Sequence, residues 1–275
     1  MEVDAMQDSV YYPEGTDYLR ESLKHHKLGE YLQLIADSKE VCDVPIIASI
    51  NCYSANEWAH FAAEIEKAGA DAIEVNILAL QSDVNYQYGE FEQRHIDILR
   101  NVKEHTSLPV IMKLGMKLTN PVALIAQLYA NGAAAVVLFN RMYQPDIDVE
   151  KMEHKSGKVF SSPEELSRAL RWVGIASSQV DKIDYAVSGG VHQPEDVVKA
   201  ILSGAAAVEV CSSIYMNTNR YIDEYLRFTS AWMGRKGFEK VSQFKGLLRV
   251  KDVKGVNTFE RTQFLKYFNE YKNEE

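Results

Sequence analysis

The sequence predicts an α/β protein of the (β/α)8 TIM-barrel class, with about six βα units. Two observations carry this prediction. From Val44 onward, short apolar segments of strand length alternate with segments of helical periodicity. A phrase made of a helix end, a Gly-Ala pair and an apolar strand recurs three times, at 67–76, 130–140 and 202–211. Each copy is preceded by a helix, and that helix is preceded by another strand, which begins at Val44, Leu108 or Ile183. Each of the three modules therefore contains two strands, which gives six strands in all.

The strand count falls short of a closed barrel, which has eight strands. Residues 1–43 contain no convincing strand, so we expect roughly two strands and a helix, on the order of 50 residues, to be absent from the N-terminus. Residues 1–275 are expected to form one partial barrel domain. Within it, 1–43 is a loop with helices before the third barrel strand, and 249–275 is a C-terminal extension. An open six-stranded sheet and a strand from a partner chain remain alternatives.

Local signals place each element along the chain. The expected strands are Val44–Ile50, Ala70–Asn76, Leu108–Leu114, Ala133–Asn140 and the segments that begin at Ile183 and Ala205. Two expected helices begin at the capping-box sequences Ser54–Glu57 and Ser162–Glu165. The other expected helices cover Phe91–Glu104, Pro121–Gly132 with Asn120 as cap, Gln193–Ser203 before Gly204, Thr218–Lys236 and Glu239–Leu248. Irregular structure is expected at 8–15, 77–89 and 141–160. Residues from Thr16 to about Glu40 are expected to form two helical pieces broken near Gly29.

Composition excludes several function classes. With 30 basic and 39 acidic residues the net charge is -9, and no basic stripe is present, so nucleic acid is not an expected partner. No apolar segment approaches the ~18 residues of a membrane span. The three cysteines, Cys42, Cys52 and Cys211, are too widely spaced for a zinc motif or a disulfide framework. The first residues lack signal-peptide features, so the cytoplasm is the expected compartment.

Polar and small residues stand where the predicted strands end. Strand carboxyl ends meet at the mouth of a barrel, where function is located. These residues are Asn51, Asn76, Lys113, Asn140, Gly189-Gly190 and Cys211-Ser212. A lysine there can stabilise negative charge on a bound ring or form a Schiff base. The glycines allow close approach of backbone N–H groups to a phosphate, with Ser212 and Ser213 as further donors. A salt-bridged lysine, strand-end caps and a tight turn are the structural alternatives.

Several longer motifs give these positions a family context. They are Glu74-Val-Asn-Ile77, Met112-Lys-Leu114, Leu138-Phe-Asn-Arg-Met-Tyr-Gln-Pro-Asp146, Val187-Ser-Gly-Gly-Val-His192 and Gly237-Phe with Phe244-Lys-Gly-Leu247. With them, the chain from Val44 to Leu248 resembles the class 1 dihydroorotate dehydrogenases, and more closely a divergent dihydroorotate dehydrogenase-like branch of flavin-binding barrels.

This resemblance implies an FMN-dependent oxidoreductase of pyrimidine biosynthesis. Hydride would pass from C6 of an orotate-like dihydropyrimidine to flavin N5. Lys113 would contact the flavin ring, and Asn76 and Asn140 would contact both flavin and substrate. The remaining implied FMN-binding residues are Ser161, Gly189, Gly190, Cys211 and Ser212. The small-molecule substrate is the expected partner, no metal is expected, and a homodimer is left open.

The chain also departs from the family pattern. Ala79 stands where the family has a Cys or Ser general base, and alanine cannot accept a proton. Ser82 is the nearest substitute, and Gln81 or Asn85 would have to replace a substrate-binding asparagine. Arg141 stands where the family has Ser and could pair with a carboxylate. Two alternatives therefore stay open: a non-catalytic FMN- or phosphate-binding barrel, and a lyase that uses Lys113 as a Schiff-base amine.

Overall fold

A computed structural model describes residues 13–52, 55–77, 79–142 and 144–250, with the backbone alone at 13–26 and 55–56. The strands are β1 (Ile47–Ile50), β2 (Ala72–Ile77), β3 (Val110–Gly115), β4 (Ala135–Asn140), β5 (Pro145–Asp148), β6 (Glu153–Ser156), β7 (Asp184–Ser188) and β8 (Ala207–Glu209). The α-helices are α1 (Pro13–Val41), α2 (Ala55–Lys67), α3 (Glu90–Glu104), α4 (Pro121–Ala130), α5 (Leu166–Gln179), α6 (Pro194–Ser203), α7 (Ser212–Asn217) and α8 (Tyr221–Lys236). Short 3-10 helices cover Pro163–Glu165 and Val241–Gln243.

Six of the strands form one parallel sheet in the order β1-β2-β3-β4-β7-β8. The predicted six βα units are therefore confirmed, and the fold is a partial TIM barrel. Lys113 in β3 contacts Glu209 in β8, which lies three strands away in the sheet, and this contact shows that the sheet is curled. Parallel pairing places Asn76 opposite Lys113 and Ser188 opposite Glu209, so polar strand ends meet along one rim.

The core lies on both faces of the central strands. In β4 the four residues Val136–Phe139 are all buried, as expected for a parallel strand covered by helices on one side and by the curled sheet on the other. Helices α2, α3 and α4 contribute Ile65, Leu99 and Leu128 to the same buried cluster. This packing fixes the strands, and therefore the side chains at their carboxyl ends. No helix in the described ranges is long and apolar enough to cross a membrane.

Several predicted helix ends are confirmed. The Asn120 side chain accepts a hydrogen bond of 3.1 Å from the Ala123 N–H, with Pro121 at the first position of α4. Helix α6 begins at Pro194 and ends before Gly204, whose φ of 122° suits a residue without a side chain. The Ser54 capping box and the residues from Lys251 onward lie outside the described residues.

The N-terminal prediction is confirmed in the helical structure of residues 16–40, but it was wrong about the loop and about a break near Gly29. A single helix runs from Pro13 to Val41, with no loop at 13–15 and no break at Gly29. A glycine costs a helix only about 1 kcal/mol relative to alanine, which contacts of the rest of the helix can offset. Pro13 occupies the first helical position, where its missing N–H is not needed. Residues 8–12 of the predicted loop lie outside the described residues.

Two further segments differ from expectation. The polar excursion at 141–160 contains an antiparallel hairpin, β5–β6, whose largely exposed residues give no apolar alternation. The predicted helix Glu239–Leu248 is reduced to the 3-10 turn Val241–Gln243. The N–H groups of Gly246 and Leu248 donate to the carbonyls of Ile201 and Leu202 at 2.9 Å, so the second half of the segment is bonded to the end of α6 and does not continue a regular helix.

Candidate active site

The carboxyl ends of the strands open into a cleft of about 230 Å³. Seven of the eight site residues implied by the family resemblance line it, namely Lys113, Asn140, Ser161, Gly189, Gly190, Cys211 and Ser212. Asn76, the eighth, is joined to the cleft through Asn140, whose Nδ2 donates a hydrogen bond of 2.6 Å to the Asn76 Oδ1. Asn51 is exposed and is not among the lining residues. The strand-end pattern therefore brings together side chains as far apart in sequence as Asn76 and Ser212.

One end of the cleft, here called the charged end, consists of Glu74, Lys113 and Glu209. The Lys113 Nζ lies 2.6 Å from the Glu209 Oε2 and 3.3 Å from the Glu74 Oε1. Exposure rises toward the cleft, from 7% for the Glu74 side chain through 16% for Lys113 to 31% for Glu209. Ser49 donates a hydrogen bond of 2.6 Å to Glu74 from behind. The Lys113 ammonium therefore lies between the buried carboxyl group of Glu74 and the half-buried carboxyl group of Glu209.

The charges at this end follow from burial and pairing. Burial, reinforced by the nearby Glu209, raises the pKa of Glu74 to about 7. Burial alone would also raise the pKa of Glu209, but hydrogen bonding to Glu74 and the Lys113 ammonium hold it below its ordinary value. Burial opposes the charge on Lys113, yet Glu209 and Glu74 outweigh it, and the Lys113 pKa is raised. Below neutral pH the arrangement therefore favours a protonated Glu74 beside an ionised Glu209 and an ammonium on Lys113, and Glu74 loses its proton as the pH passes about 7.

The other end, here called the hydroxyl end, consists of Ser161, Gly189, Gly190, His192 and Ser212. The Ser161 Oγ lies 3.0 Å from the His192 Nε2 and 3.1 Å from the Ser212 Oγ. The Ser161 N–H donates to the Ser212 Oγ at 3.0 Å. Gly190 has a φ of 76°, and a Cβ there would overlap the backbone nitrogen of Leu166. Its position therefore admits only glycine, because the Leu166 backbone packs directly against it.

Helices behind the hydroxyl end hold its loops in place. The Asp196 Oδ2 accepts hydrogen bonds from the N–H groups of His192 and Gln193 at 3.0 and 2.8 Å. From α8, the Tyr225 hydroxyl donates to the Ser213 Oγ at 2.8 Å, and the Tyr221 hydroxyl donates to the His192 carbonyl at 3.3 Å. The hydroxyl end is therefore a rigid loop cluster supported from outside the barrel.

The residues that depart from the family pattern differ in their position relative to the cleft and in their hydrogen bonds. Arg141 lines the cleft, and its guanidinium donates to the carbonyls of Val159 and Lys158 and to the Glu165 carboxylate. Its predicted carboxylate pairing is thus made with a residue of this chain. Ala79 is half-buried, whereas Ser82 is exposed and is not among the residues that line the cleft. The Asn85 amide donates to Asp83, 3.3 Å away.

Sequence reasoning missed three residues of the site: Glu74, Glu209 and His192. A signal for the two glutamates exists, because each is a charged residue inside an otherwise apolar strand. Glu74 precedes Asn76 by two positions and Glu209 precedes Cys211 by two, so each shares a strand face with a predicted site residue. His192 carries no such signal, since only tertiary structure brings it to Ser161.

In TIM-barrel enzymes the active site lies at the carboxyl ends of the strands. The curled parallel sheet of this chain, with its polar residues at those ends, has the architecture of this class of enzyme. The chain belongs to the dihydroorotate dehydrogenase family: the family model described as "Dihydroorotate dehydrogenase" matches residues 13–226. This membership confirms the suspected family and the prediction of an enzyme of the dehydrogenase class.

Individual relatives agree with the family at low identity. The chain is 25% identical over 223 residues to the catalytic subunit of dihydroorotate dehydrogenase B (NAD(+)) of Thermoplasma volcanium, covering 80% of this chain and 72% of the relative. It is 31% identical over 180 residues to the same-named subunit of Desulforudis audaxviator, covering 64% and 58%. It is 26% identical over 245 residues to the NAD-dependent dihydropyrimidine dehydrogenase subunit PreA of Escherichia coli K12, covering 82% and 59%.

Proposed function

We propose that this chain is an FMN-dependent oxidoreductase that takes hydride from a dihydropyrimidine. The observation that carries the proposal is the convergence of Lys113, the Asn76–Asn140 pair and the serine–glycine cluster in one cleft. The names of the relatives support the substrate class, because dihydroorotate and dihydropyrimidine share a partly reduced pyrimidine ring. A role in pyrimidine biosynthesis belongs to the same proposal, and the cytoplasmic location stays a prediction of the sequence.

The residues present fit FMN at both ends of the cleft. At the hydroxyl end, two serine hydroxyl groups and the glycine backbone of Gly189-Gly190, which lines the cleft, suit a phosphate. At the charged end, Lys113 is the cation that would face the ring, and Asn140 offers an amide for its carbonyl and N–H edge. Bound FMN supplies the hydride acceptor, which no protein side chain provides.

The charged end decides what Lys113 can do. The raised pKa of Lys113 keeps its amine protonated, whereas a Schiff base requires the neutral amine. This disfavours the lyase alternative. A protonated lysine instead provides a fixed positive charge that stabilises negative charge developing on a ring beside it. Glu209 offsets part of that charge and holds the ammonium in place at 2.6 Å.

A second candidate function is a non-catalytic flavin-binding protein, and Ala79 is the observation that favours it. Alanine cannot take the proton that must leave a dihydropyrimidine together with the hydride. The two functions differ in turnover but not in binding.

Anaerobic spectroscopy tests both. The protein is mixed with FMN, its flavin absorbance band is recorded, and dihydroorotate and dihydrouracil are then added in turn. Bleaching by either substrate supports the oxidoreductase. A bound flavin that neither substrate bleaches supports the non-catalytic protein, and absence of flavin binding overturns the proposal.

A further inference from the structure

The least expected feature of the hydroxyl end is a buried histidine behind its serines. His192 is only 8% exposed, and its Nε2 lies 3.0 Å from the Ser161 Oγ. Ser161 in turn contacts Ser212, and both serines line the cleft. A hydrogen-bonded row therefore leads from a buried ring, through Ser161, to Ser212 at the cleft wall.

Two arrangements of the hydrogens satisfy these contacts. In the inward arrangement, Ser212 donates to Ser161 and Ser161 donates to the His192 Nε2. In the outward arrangement, the His192 Nε2–H donates to Ser161, and Ser161 donates to Ser212. The Ser212 oxygen then accepts from Ser161 twice, through its hydroxyl and its backbone N–H, so the Ser212 hydrogen is left for an acceptor in the cleft.

The chemistry of the ligand selects between the two arrangements. A phosphate monoester presents only acceptor oxygens and negative charge at neutral pH, so it favours hydroxyl hydrogens that point into the cleft. Only a histidine with a hydrogen on Nε2 can complete the outward arrangement. Because the side chain is buried behind Ser161, it acts on the ligand through that hydroxyl.

We propose that His192 is a positioning residue for phosphate recognition: by donating to Ser161 it turns the Ser161–Ser212 row toward a phosphate monoester in the cleft. This deepens the proposed function, since the ligand class is that of FMN. The inference concerns the phosphate and not the flavin ring, and this difference makes the two separable by experiment.

The test compares FMN with riboflavin, which lacks the phosphate, on the full chain. His192→Leu removes the donor and is expected to weaken FMN binding about tenfold, because the Ser212 hydroxyl is then no longer directed to donate to the charged phosphate, while riboflavin binding is unchanged. His192→Gln retains an N–H donor at a similar reach and is expected to restore FMN binding. Equal weakening of both flavins, or FMN binding unaffected by the leucine, would overturn the inference.

A double variant tests the route of the effect and guards against misfolding of a single variant. If His192 acts only through Ser161, Ser161→Ala alone should weaken FMN binding, and adding His192→Leu should weaken it no further. An additional loss in the double variant would show that His192 acts by another route.

Inorganic phosphate keeps the inference testable if the chain binds neither flavin, which would remove the proposed function. Phosphate is expected to raise the unfolding temperature of the wild type and of His192→Gln, but not of His192→Leu. If phosphate does not stabilise the wild type, the inference fails independently of the flavin.

Discussion

The two ends of the cleft are built on opposite principles. The charged end places carboxyl groups from β2 and β8 at 3.3 and 2.6 Å from the Lys113 ammonium of β3, largely out of solvent. The hydroxyl end uses serine hydroxyl groups, a histidine ring and glycine backbone on the loops after β6, β7 and β8. Removing one member of a buried charge cluster destabilises the fold, because an uncompensated buried charge remains. The hydroxyl end is sensitive mainly to shape and hydrogen-bond direction.

The largest effect is expected where shape is most constrained. Gly190→Ala would force a Cβ against the backbone of Leu166 at a positive φ, so we expect a loss of about 3 kcal/mol in the free energy of unfolding. FMN binding should be lost with it. Gly234→Ala is the matched control, since that helical glycine has nothing within 4 Å, and it should be neutral or slightly stabilising. Urea unfolding of both variants decides the matter; similar stabilities would contradict this account of the hydroxyl end.

The second effect concerns the charged end. Lys113→Met leaves two carboxyl groups facing each other without their cation. We expect a loss of about 2 kcal/mol at neutral pH, below the usual cost of a broken buried pair because Glu209 is partly exposed. The loss should shrink at acidic pH as the carboxylates take up protons. Lys67→Met breaks an exposed pair with Glu64 and should leave stability unchanged, and an equal loss in both variants would refute the distinction.

A pH dependence should separate Glu74 from surface carboxylates. Its folded pKa is raised above the unfolded value, so its contribution to stability is complete below the unfolded pKa and is lost as the pH rises toward 7. Glu74→Gln keeps the uncharged form and should therefore gain about 1 kcal/mol relative to wild type between pH 5 and pH 8. Glu66, whose pKa is lowered by hydrogen bonding to Ser107, provides the control. Glu66→Gln should show no such gain. If the difference in unfolding free energy between Glu74→Gln and the wild type does not change from pH 5 to pH 8, the assignment is disproved.

The smallest effect is expected behind the hydroxyl end. Tyr225→Phe removes the hydroxyl that donates to Ser213 at 2.8 Å, and should cost about 1 kcal/mol of stability. FMN affinity should fall only a few-fold, because Ser213 supports the loop instead of lining the cleft. Tyr129→Phe changes an exposed ring and should alter neither quantity. Thermal unfolding and fluorescence titration of both variants measure the difference; identical behaviour would mean that α8 does not support this end.

The sequence by itself determined the parallel βα architecture and most of the rim of the cleft. These features depend on local information: apolar segments of strand length, Asn120 and Pro121 at a helix start, and polar residues at strand ends. Because parallel strands end at one edge, order along the chain was enough to bring Lys113, Asn140 and Gly189-Gly190 together. The same local rules failed for α1 and for 239–248, where a tolerated glycine and bonds to a distant helix decided the outcome.

Only the tertiary structure decided the partners of those side chains. Glu74 lies 39 residues from Lys113 and meets it from the neighbouring strand β2, whereas Glu209, 96 residues away on β8, meets it because the sheet curls. His192 reaches Ser161 across 31 residues through the packing of two loops. Charge state and hydrogen-bond direction depend on such contacts, which no local pattern encodes, because burial and neighbouring charges exist only once the chain has folded.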